Sequence, residues 1–352
     1  VTVTIDATSA LLRSAGIKSY TYHLVRALRR IAKGDEIRAY PFLKDFGALD
    51  HEASTLSRSA TLARIGALYL SRSTPLLDLM LIGSDVFHAS NQVRRAPHGV
   101  KLTATVHDLT CWLMPELHTE ANVRADRTFA DQILRRADGL IAVSENTRQD
   151  AIKLLGIAPE KIETIYSGVA EEYFDAQPVK RSRPYVLYVG TIEPRKNLNV
   201  LLDAWKLLRP DFELVIAGPE GWGSSATLER IRAEATYLGY VPEADLPGLV
   251  AGATVFIYPS LYEGFGFPVV QAMAAGVPVV TSNTSCLPEV AGDAAVLVDP
   301  RSAAEIAGGL DRLLGSESRR VEFAARGRER AGMFRWENCA ARSLAFFRRI
   351  AG

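Results

Sequence analysis

Residues 256–292 read FIYPSLYEGFGFPVVQAMAAGVPVVTSNTSCLPEVAG. An apolar strand enters a glycine-bearing loop, Glu263-Gly264-Phe265-Gly266, and a short helix follows from Pro268 through Gln271 to Met273. A second apolar run, Val277 to Val280, reads as the next strand. Strand, loop, helix and strand in that order make a cradle for a phosphate-bearing ligand. The glycines let backbone N–H groups come close, and the helix N-terminus adds partial positive charge. Glu263 stands at the mouth of the cradle, where its carboxylate can accept hydrogen bonds from a polyhydroxy group attached to the phosphate. The stretch therefore points to a sugar phosphate or a nucleotide sugar.

Working outward, both halves of the chain repeat this alternation of short apolar runs and helical stretches. In the first half, strands are expected at Val1–Ile5, Ile37–Phe42, Val86–His88, Lys101–Val106, Gly139–Val143 and Ile162–Ile165, with helices at Ser19–Ile31, Asn122–Arg136 and Glu145–Leu155. The second half gives strands at Tyr185–Gly190, Phe212–Ala217, Thr236–Leu238, Thr254–Tyr258, Val277–Thr281 and Ala295–Val298. Its helices are expected at Leu198–Leu208, Thr227–Arg232, Ala244–Ala251, Phe267–Ala275 and Ala303–Leu314. Strands that are apolar almost throughout, separated by helices, predict parallel sheets covered on both faces. The expected fold is α/β with two Rossmann-like domains facing a central cleft, residues 1–172 and 185–335. A polar linker over 173–184, broken by Pro178 and Pro184, joins them. Helix is expected again from Trp336 to Ile350; a terminal helix of about 336–352 can pack back onto the first domain.

With 352 residues, 48% hydrophobic and 23% charged, the chain has the profile of a packed protein of two domains. The net charge of +1, from 41 basic and 40 acidic side chains, gives no argument for nucleic acid as a partner. Three scattered cysteines, Cys111, Cys286 and Cys339, without a CxxC, suit a reducing compartment. No run approaches the length of a spanning helix, and the N-terminus reads as a strand and not as a signal peptide. The expected location is cytoplasmic. From Ser57 to Leu79, however, Arg58, Arg64 and Arg72 stand among apolar residues with no acidic side chain before Asp78. Such a piece can lie on an anionic bilayer at the inner face of the plasma membrane, or it can be a helix covering its own domain with arginines in solvent.

Four places carry candidate chemistry, each with a plain structural competitor. Arg195 and Lys196 follow the strand ending at Gly190, at the carboxyl edge where such sheets bind ligands. Two adjacent cations there can neutralise a diphosphate and its departing charge; elsewhere they would be solvated surface. Glu263 and Gln271 are the second place, the amide being able to hold a ribose diol or a base edge, or simply to cap a helix. The third is Val106-His107-Asp108, where an imidazole at a strand end can bond a sugar hydroxyl or can be structural. The fourth is the glycine turn Ser14–Tyr20, where Gly16 can pass close to a phosphate or sugar; it is not a GxGxxG fingerprint. His88, His98 and His118 form no spaced ligand cluster, and no Asp-x-Asp occurs. The expectation is no metal and no cofactor, with Arg195 and Lys196 doing the work of a divalent ion.

Several segments resemble the retaining glycosyltransferases of family 4, which have the GT-B fold. They are AGIKSY (15–20), DVFHASN (85–91), VHDL (106–109), AVSENTRQD (142–150), YSGV (166–169), VGTIEPRKNL (189–198), LGYVPEADLPGL (238–249) and, most specifically, residues 259–300. The resemblance implies an acceptor-binding N-terminal domain and a donor-binding C-terminal domain. It implies that Arg195 and Lys196 bind the diphosphate beside Gly190, and that Glu263 and the Gly264, Phe265 and Gly266 backbone lie against the donor sugar. It puts Gly239, Tyr240, Val241 and Pro242 near the base, and makes Leu287, Pro288 and Glu289 a loop near the nucleotide. His107 would contact the transferred sugar, Gly16 would face the diphosphate on closure, and Tyr20, His107 and Asp108 form the acceptor side. One departure stands out. The family has glutamate at both ends of a Glu-x7-Glu stretch, whereas this chain has Glu263 and Gln271.

The implied enzyme is a retaining hexosyltransferase. GDP-mannose is the favoured donor, UDP-glucose, UDP-galactose and UDP-N-acetylglucosamine the alternatives, and a surface glycan or lipid-linked saccharide the acceptor. Two competing classes are a nucleotide-sugar epimerase, which needs an acid–base pair on both faces of one carbon, and a non-catalytic nucleotide-sugar-binding subunit. Only His107 is an obvious acid–base candidate, and the intact Arg195, Lys196 and Glu263 set argues against the second.

Overall fold

The structure, a computed structural model, describes residues 1–13, 16–41, 47–71, 74–208 and 211–352. Of the sequence expectations, Phe42 at a strand end, Ser14 and Ala15 of the glycine turn, and Arg72 of the basic segment lie outside the described residues. Two compact units result. One comprises Val1–Pro115, Thr119–Gly168 and Trp336–Gly352; the other comprises Glu116–His118 and Val169–Arg335.

The first unit is built on β1 (Thr2–Asp6), β2 (Glu36–Tyr40), β3 (Val86–Ala89), β4 (Lys101–Val106), β5 (Gly139–Ala142) and β6 (Ile162–Thr164). All pairings are parallel, in the order β2-β1-β3-β4-β5-β6. Its helices are α1 (Gly16–Ile31), α2 (Arg58–Ser71), α3 (Leu76–Met80), α4 (Thr110–Leu113), α5 (Glu120–Gln132) and α6 (Glu145–Leu155). Phe87, Leu102, Val106 and Leu140 from the strands pack with Phe129 and Ile133 in the core. Helix α6 begins and ends where its sequence says: the Ser144 hydroxyl accepts from the Thr147 amide at 3.1 Å, and Gly156 closes it in the left-handed region.

The second unit contains β7 (Tyr185–Val189), β8 (Glu213–Ala217), β9 (Thr236–Gly239), β10 (Val255–Tyr258), β11 (Val279–Ser282) and β12 (Ala295–Val298), again wholly parallel. Their order is β12-β11-β10-β7-β8-β9, so chain direction across the sheet reverses between β7 and β10. The helices are α7 (Glu171–Phe174), α8 (Leu198–Leu207), α9 (Ser225–Glu234), α10 (Leu246–Ala251), α11 (Phe267–Ala274), α12 (Leu287–Ala291), α13 (Ala303–Leu314) and α14 (Glu317–Ala331). The last helix, α15 (Trp336–Ala351), belongs to the first unit, where it packs on α1.

Among the differences from the sequence expectation, three bear on how the second unit is built. Residues 173–184 belong to the second unit: Tyr173 and Phe174 are buried, and the Val179 amide donates to the Gly248 carbonyl at 3.0 Å. Strand β11 starts at Val279 because Pro278 has no N–H; its carbonyl still accepts from Phe256 at 2.9 Å. Helix α14 has no counterpart in the expected elements. Its sequence ESRRVEFAARGRERA is mostly polar, and its buried residues Phe323, Gly327 and Ala331 form a single stripe spaced four residues apart.

Candidate active site

In an open parallel sheet, the crevice where strand order reverses is left open at the carboxyl ends of the strands. In the second unit that point lies between β7 and β10, and the residues that follow these two strands carry the candidate chemistry. After β7, Pro194–Lys196 form a single 3₁₀ turn, and Asn197 adopts the left-handed conformation with φ 62°. A non-glycine residue there needs support, and the Asn197 amide supplies it by donating to the Pro259 carbonyl at 3.1 Å and the Pro300 carbonyl at 2.6 Å. After β10, the Leu261 amide donates to the Arg195 carbonyl at 3.0 Å. The two strand ends are thereby stitched together by backbone and amide bonds before any charge is considered.

The charges then meet. Lys196 Nζ lies 2.6 Å from Glu263 Oε1 and donates to the Tyr258 hydroxyl at 2.8 Å. Arg195 Nη1 lies 3.1 Å from Glu263 Oε2 and donates to the Tyr262 carbonyl at 2.6 Å, while its Nη2 reaches Glu193 Oε1 at 2.7 Å. The Ser260 hydroxyl donates to Glu263 Oε1 at 2.6 Å, and the Glu263 amide donates to the Ser285 hydroxyl at 3.1 Å. Glu263 is only 7% exposed. Burial alone would push its carboxyl up; Arg195 and then Lys196 outweigh that and hold it down at about 2. The cluster is thus two cations held between two carboxylates, Glu263 and Glu193, where the loops after β7 and β10 meet.

Glycines shape the rest of this edge. Gly218 has φ 143°, and a Cβ there would come within 2.0 Å of the Gly190 carbonyl oxygen, so the ends of β7 and β8 pass backbone against backbone. Gly266 has φ 87° and precedes α11; a Cβ on it would lie 2.7 Å from Leu287. The side chain of Phe265 is buried, edge-on to Phe267 at 5.2 Å and to Phe334 at 5.5 Å. Leu287 is fully buried and opens α12, so Leu287, Pro288 and Glu289 form a helical turn and not the expected loop. Tyr240 and Val241, just past Gly239 at the end of β9, are half-buried, with Pro242 exposed beyond them; Gln271 is half-buried in α11. Sequence reasoning missed Glu193, Tyr258, Ser260, Ser285 and Asn197. The signal for Asn197 was its place directly after the Arg-Lys pair.

In the first unit, His107 follows β4 and is half-buried. Shielding from solvent pushes its imidazole down to about 4, against the smaller upward pull of Asp108. Tyr20 is buried and stands edge-on to His107 with ring centroids 4.8 Å apart; its hydroxyl shares a hydrogen bond with Thr105 at 3.1 Å. His88 Nε2 lies 2.9 Å from the same Thr105 hydroxyl and its Nδ1 3.0 Å from Thr103. Tyr20 therefore buttresses His107 and does not itself line the surface. Asp108 Oδ1 accepts from both the amide and the hydroxyl of Thr110, at 3.1 and 2.8 Å, which turns the chain into α4. Gly16 is exposed at the start of α1, and a Cβ on it would meet nothing within 4 Å. Among the described residues, no group of three or more His, Cys, Asp or Glu side chains comes together to hold a metal ion.

Solved structures share this architecture over nearly the whole chain. Sucrose-phosphate synthase from Thermosynechococcus elongatus superposes with a TM-score of 0.74, covering 99% of this chain and 98% of that one at 19% identity. Anabaena Alr3699/HepE, solved in complex with UDP and glucose, gives 0.70 over 99% of each chain at 16% identity. The protein has the GT-B fold. Sequence profiles described as "Glycosyltransferase Family 4" and "Glycosyl transferases group 1" match residues 14–173 and 169–330. The chain belongs to that family. The O-antigen chain mannosyltransferase B of Escherichia coli is 36% identical over 279 residues, 74% of this chain and 73% of that protein. The serotype-specific mannosyltransferase WbdA of Escherichia coli is 30% identical over 71% of this chain, which spans only about a third of WbdA, 34% of its length.

Proposed function

We propose that the chain transfers mannose from GDP-mannose to a glycan or lipid-linked saccharide acceptor with retention of configuration, forming an α linkage. The observation that carries the reading is the meeting of Arg195 and Lys196 with Glu263 at the β7/β10 switch point, where the two cations, now paired with Glu263 and Glu193, can turn to a departing diphosphate. The choice of mannose rests on the similarity to the two mannosyltransferases; UDP-hexoses are the alternative donors.

In the proposed reaction the bond between the anomeric carbon and the diphosphate oxygen breaks as the acceptor hydroxyl bonds to that carbon on the same face. The acceptor proton passes to the departing phosphate oxygen. Lys196 and Arg195 stabilise the charge that develops there, without a divalent ion. Glu263 orients the sugar, Gly264–Gly266 offer backbone N–H groups, and Gly239–Pro242 with Gln271 receive the nucleoside. His107, neutral near pH 7 because burial depresses its pKa, bonds a hydroxyl of the transferred sugar without adding charge.

The test is a donor panel with purified protein. GDP-mannose, UDP-glucose, UDP-galactose and UDP-N-acetylglucosamine are scored separately for nucleotide release without added metal, with and without a saccharide acceptor pool. Selective release from GDP-mannose, stimulated by acceptor, is the expected result. Release from a UDP-sugar alone would replace the donor. Tight nucleotide binding with no release from any donor would favour a non-catalytic binding subunit.

A further inference from the structure

In α15 the aromatic residues Trp336 and Phe347 lie about three turns apart and therefore on one face. Cys339, Ala340 and Ser343 between them are small and buried, which lets the helix pack closely on α1. Each aromatic end touches one limb of a network behind β4. Trp336 stands edge-on to Tyr20 with ring centroids 5.8 Å apart, and Tyr20 in turn backs His107. Phe347 stands edge-on to His88 at 5.1 Å, and His88 shares the Thr105 hydroxyl with Tyr20. The tyrosine is thereby held from both ends of one helix.

That hold matters because His107 has little else to fix its direction. A histidine ring is ordinarily oriented by a hydrogen bond at one nitrogen. Among the described residues neither nitrogen of His107 makes such a bond, and its ring contact is Tyr20. Trp336 is fixed more firmly. It is buried, and His23 of α1 stacks on it at 5.3 Å with the planes 14° apart. Gly168 passes so close that a Cβ there would stand 2.5 Å from the Trp336 ring. Rigidity therefore passes outward from Trp336 to Tyr20 to His107, through edge-on contacts that are directional as well as apolar.

We infer that Trp336, with Phe347 in support, is a positioning residue that sets the direction of the His107 imidazole. The ring placement stands on these contacts alone; its effect on turnover rests on the proposed role of His107 toward the transferred sugar. Without the Trp336 ring a void opens beside Tyr20, the tyrosine turns into it, and His107 loses its backing and gains water. A group misplaced by about 1 Å can cost about 100-fold in rate. The last helix of the chain thus supplies part of the site from more than 200 positions beyond His107.

The test follows the His107 ring by NMR across pH in the full chain, with His107→Gln identifying its signal. In the natural chain the midpoint is expected at about 4; in Trp336→Leu it should move toward 6.5 as water reaches the ring. The titratable groups bearing on it, Asp108 beside it, His88 on β3 and Tyr20 on α1, remain in every variant. Cys339 of α15, near Tyr20, stays neutral because burial pushes its thiol up to about 12. In the donor assay Trp336→Leu should lower kcat about 10- to 100-fold with donor KM nearly constant, and Trp336→Phe should restore most of both readouts. Leu344→Ala, a buried residue of the same helix outside these ring contacts, should lower the melting temperature alone. If Trp336→Leu does not fold, Phe347→Leu should move the His107 midpoint in the same direction. An unmoved midpoint in every folded variant of Trp336 and Phe347, or an equal move in Leu344→Ala, would overturn the proposal. A moved midpoint with natural kcat would leave the ring placement standing and remove His107 from the transfer reaction.

Discussion

Lys196 Nζ and Glu263 Oε1 lie 2.6 Å apart although 67 residues separate them in the chain. What brings them together is the reversal of strand order, which makes β7 and β10 neighbours and sets the loops after both at one crevice. A buried cation and anion at this distance are costly to separate, because either one alone would be an uncompensated charge. The pair therefore pre-shapes the site before any donor arrives.

Lys196→Ala is expected to lower turnover by about 100- to 1000-fold, the range found for removing one preorganised donor to a developing anion. Arg195 and Ser260 still hold Glu263, so the fold should survive with a loss of roughly 2–3 kcal/mol. Nucleotide release and circular dichroism read the two effects. Near-natural turnover would remove Lys196 from the proposed mechanism.

His88 should make the first unit acid-sensitive. Burial, with a smaller contribution from His107, pushes its imidazole down from 6.5 to about 3. A depressed folded value means that the neutral ring's contribution is complete above pH 6.5 and is lost as pH falls from there toward 3. The unfolded chain takes up the proton first. This ring accounts for up to roughly 5 kcal/mol across that window. Urea midpoints measured from pH 7 to pH 4 should fall, and His88→Gln should flatten the decline. An unchanged slope would show that other groups govern it.

Gln271→Glu should tighten the donor. A carboxylate accepts from a ribose diol more strongly than an amide does, by roughly 1 kcal/mol, so the donor KM should drop about fivefold with kcat nearly constant. A fall in kcat instead would mean that Gln271 takes part in the transfer step.

Two glycines should behave in opposite ways. Gly218→Ala collides with the Gly190 carbonyl at 2.0 Å and should unfold or misfold the second unit, seen as a lost or lowered melting transition. Gly16→Ala meets no atom within 4 Å, so the melting temperature should hold. Under the proposed role, nucleotide release by that variant should fall at least tenfold, because a methyl group keeps a diphosphate from the Gly16 backbone. Full activity in Gly16→Ala would remove it from the site.

Strands such as Lys101–Val106 and Ala295–Val298 and helices such as Glu145–Leu155 and Ala303–Leu314 were legible residue for residue, since apolar runs and caps are local signals. The Arg195, Lys196 and Glu263 set was legible as types in the right loops. Its supports were not. Asn197 and Ser285 take positive φ only because distant groups bond to them, Pro259 and Pro300 for the first and the Glu263 amide for the second. Helix α14 escaped because a stripe of three buried residues in a polar sequence declares itself only against a packing partner, here Met273 lying 3.2 Å from where a Gly327 Cβ would sit.

By itself, then, the sequence determined two parallel sheets, the strand–loop–helix–strand run at 256–292 and the cationic loop at 195–196, because alternation, glycine and charge act over a few residues. Tertiary structure alone decided that Lys196 and Arg195 close on Glu263, that Tyr20 backs His107 instead of facing ligand, and that Leu62, Ile65, Tyr69 and Leu70 of α2 point outward. Each of these depends on which strands become neighbours and which face of a helix finds a partner. Those are properties of residues far apart in the chain, settled by packing rather than by local preference.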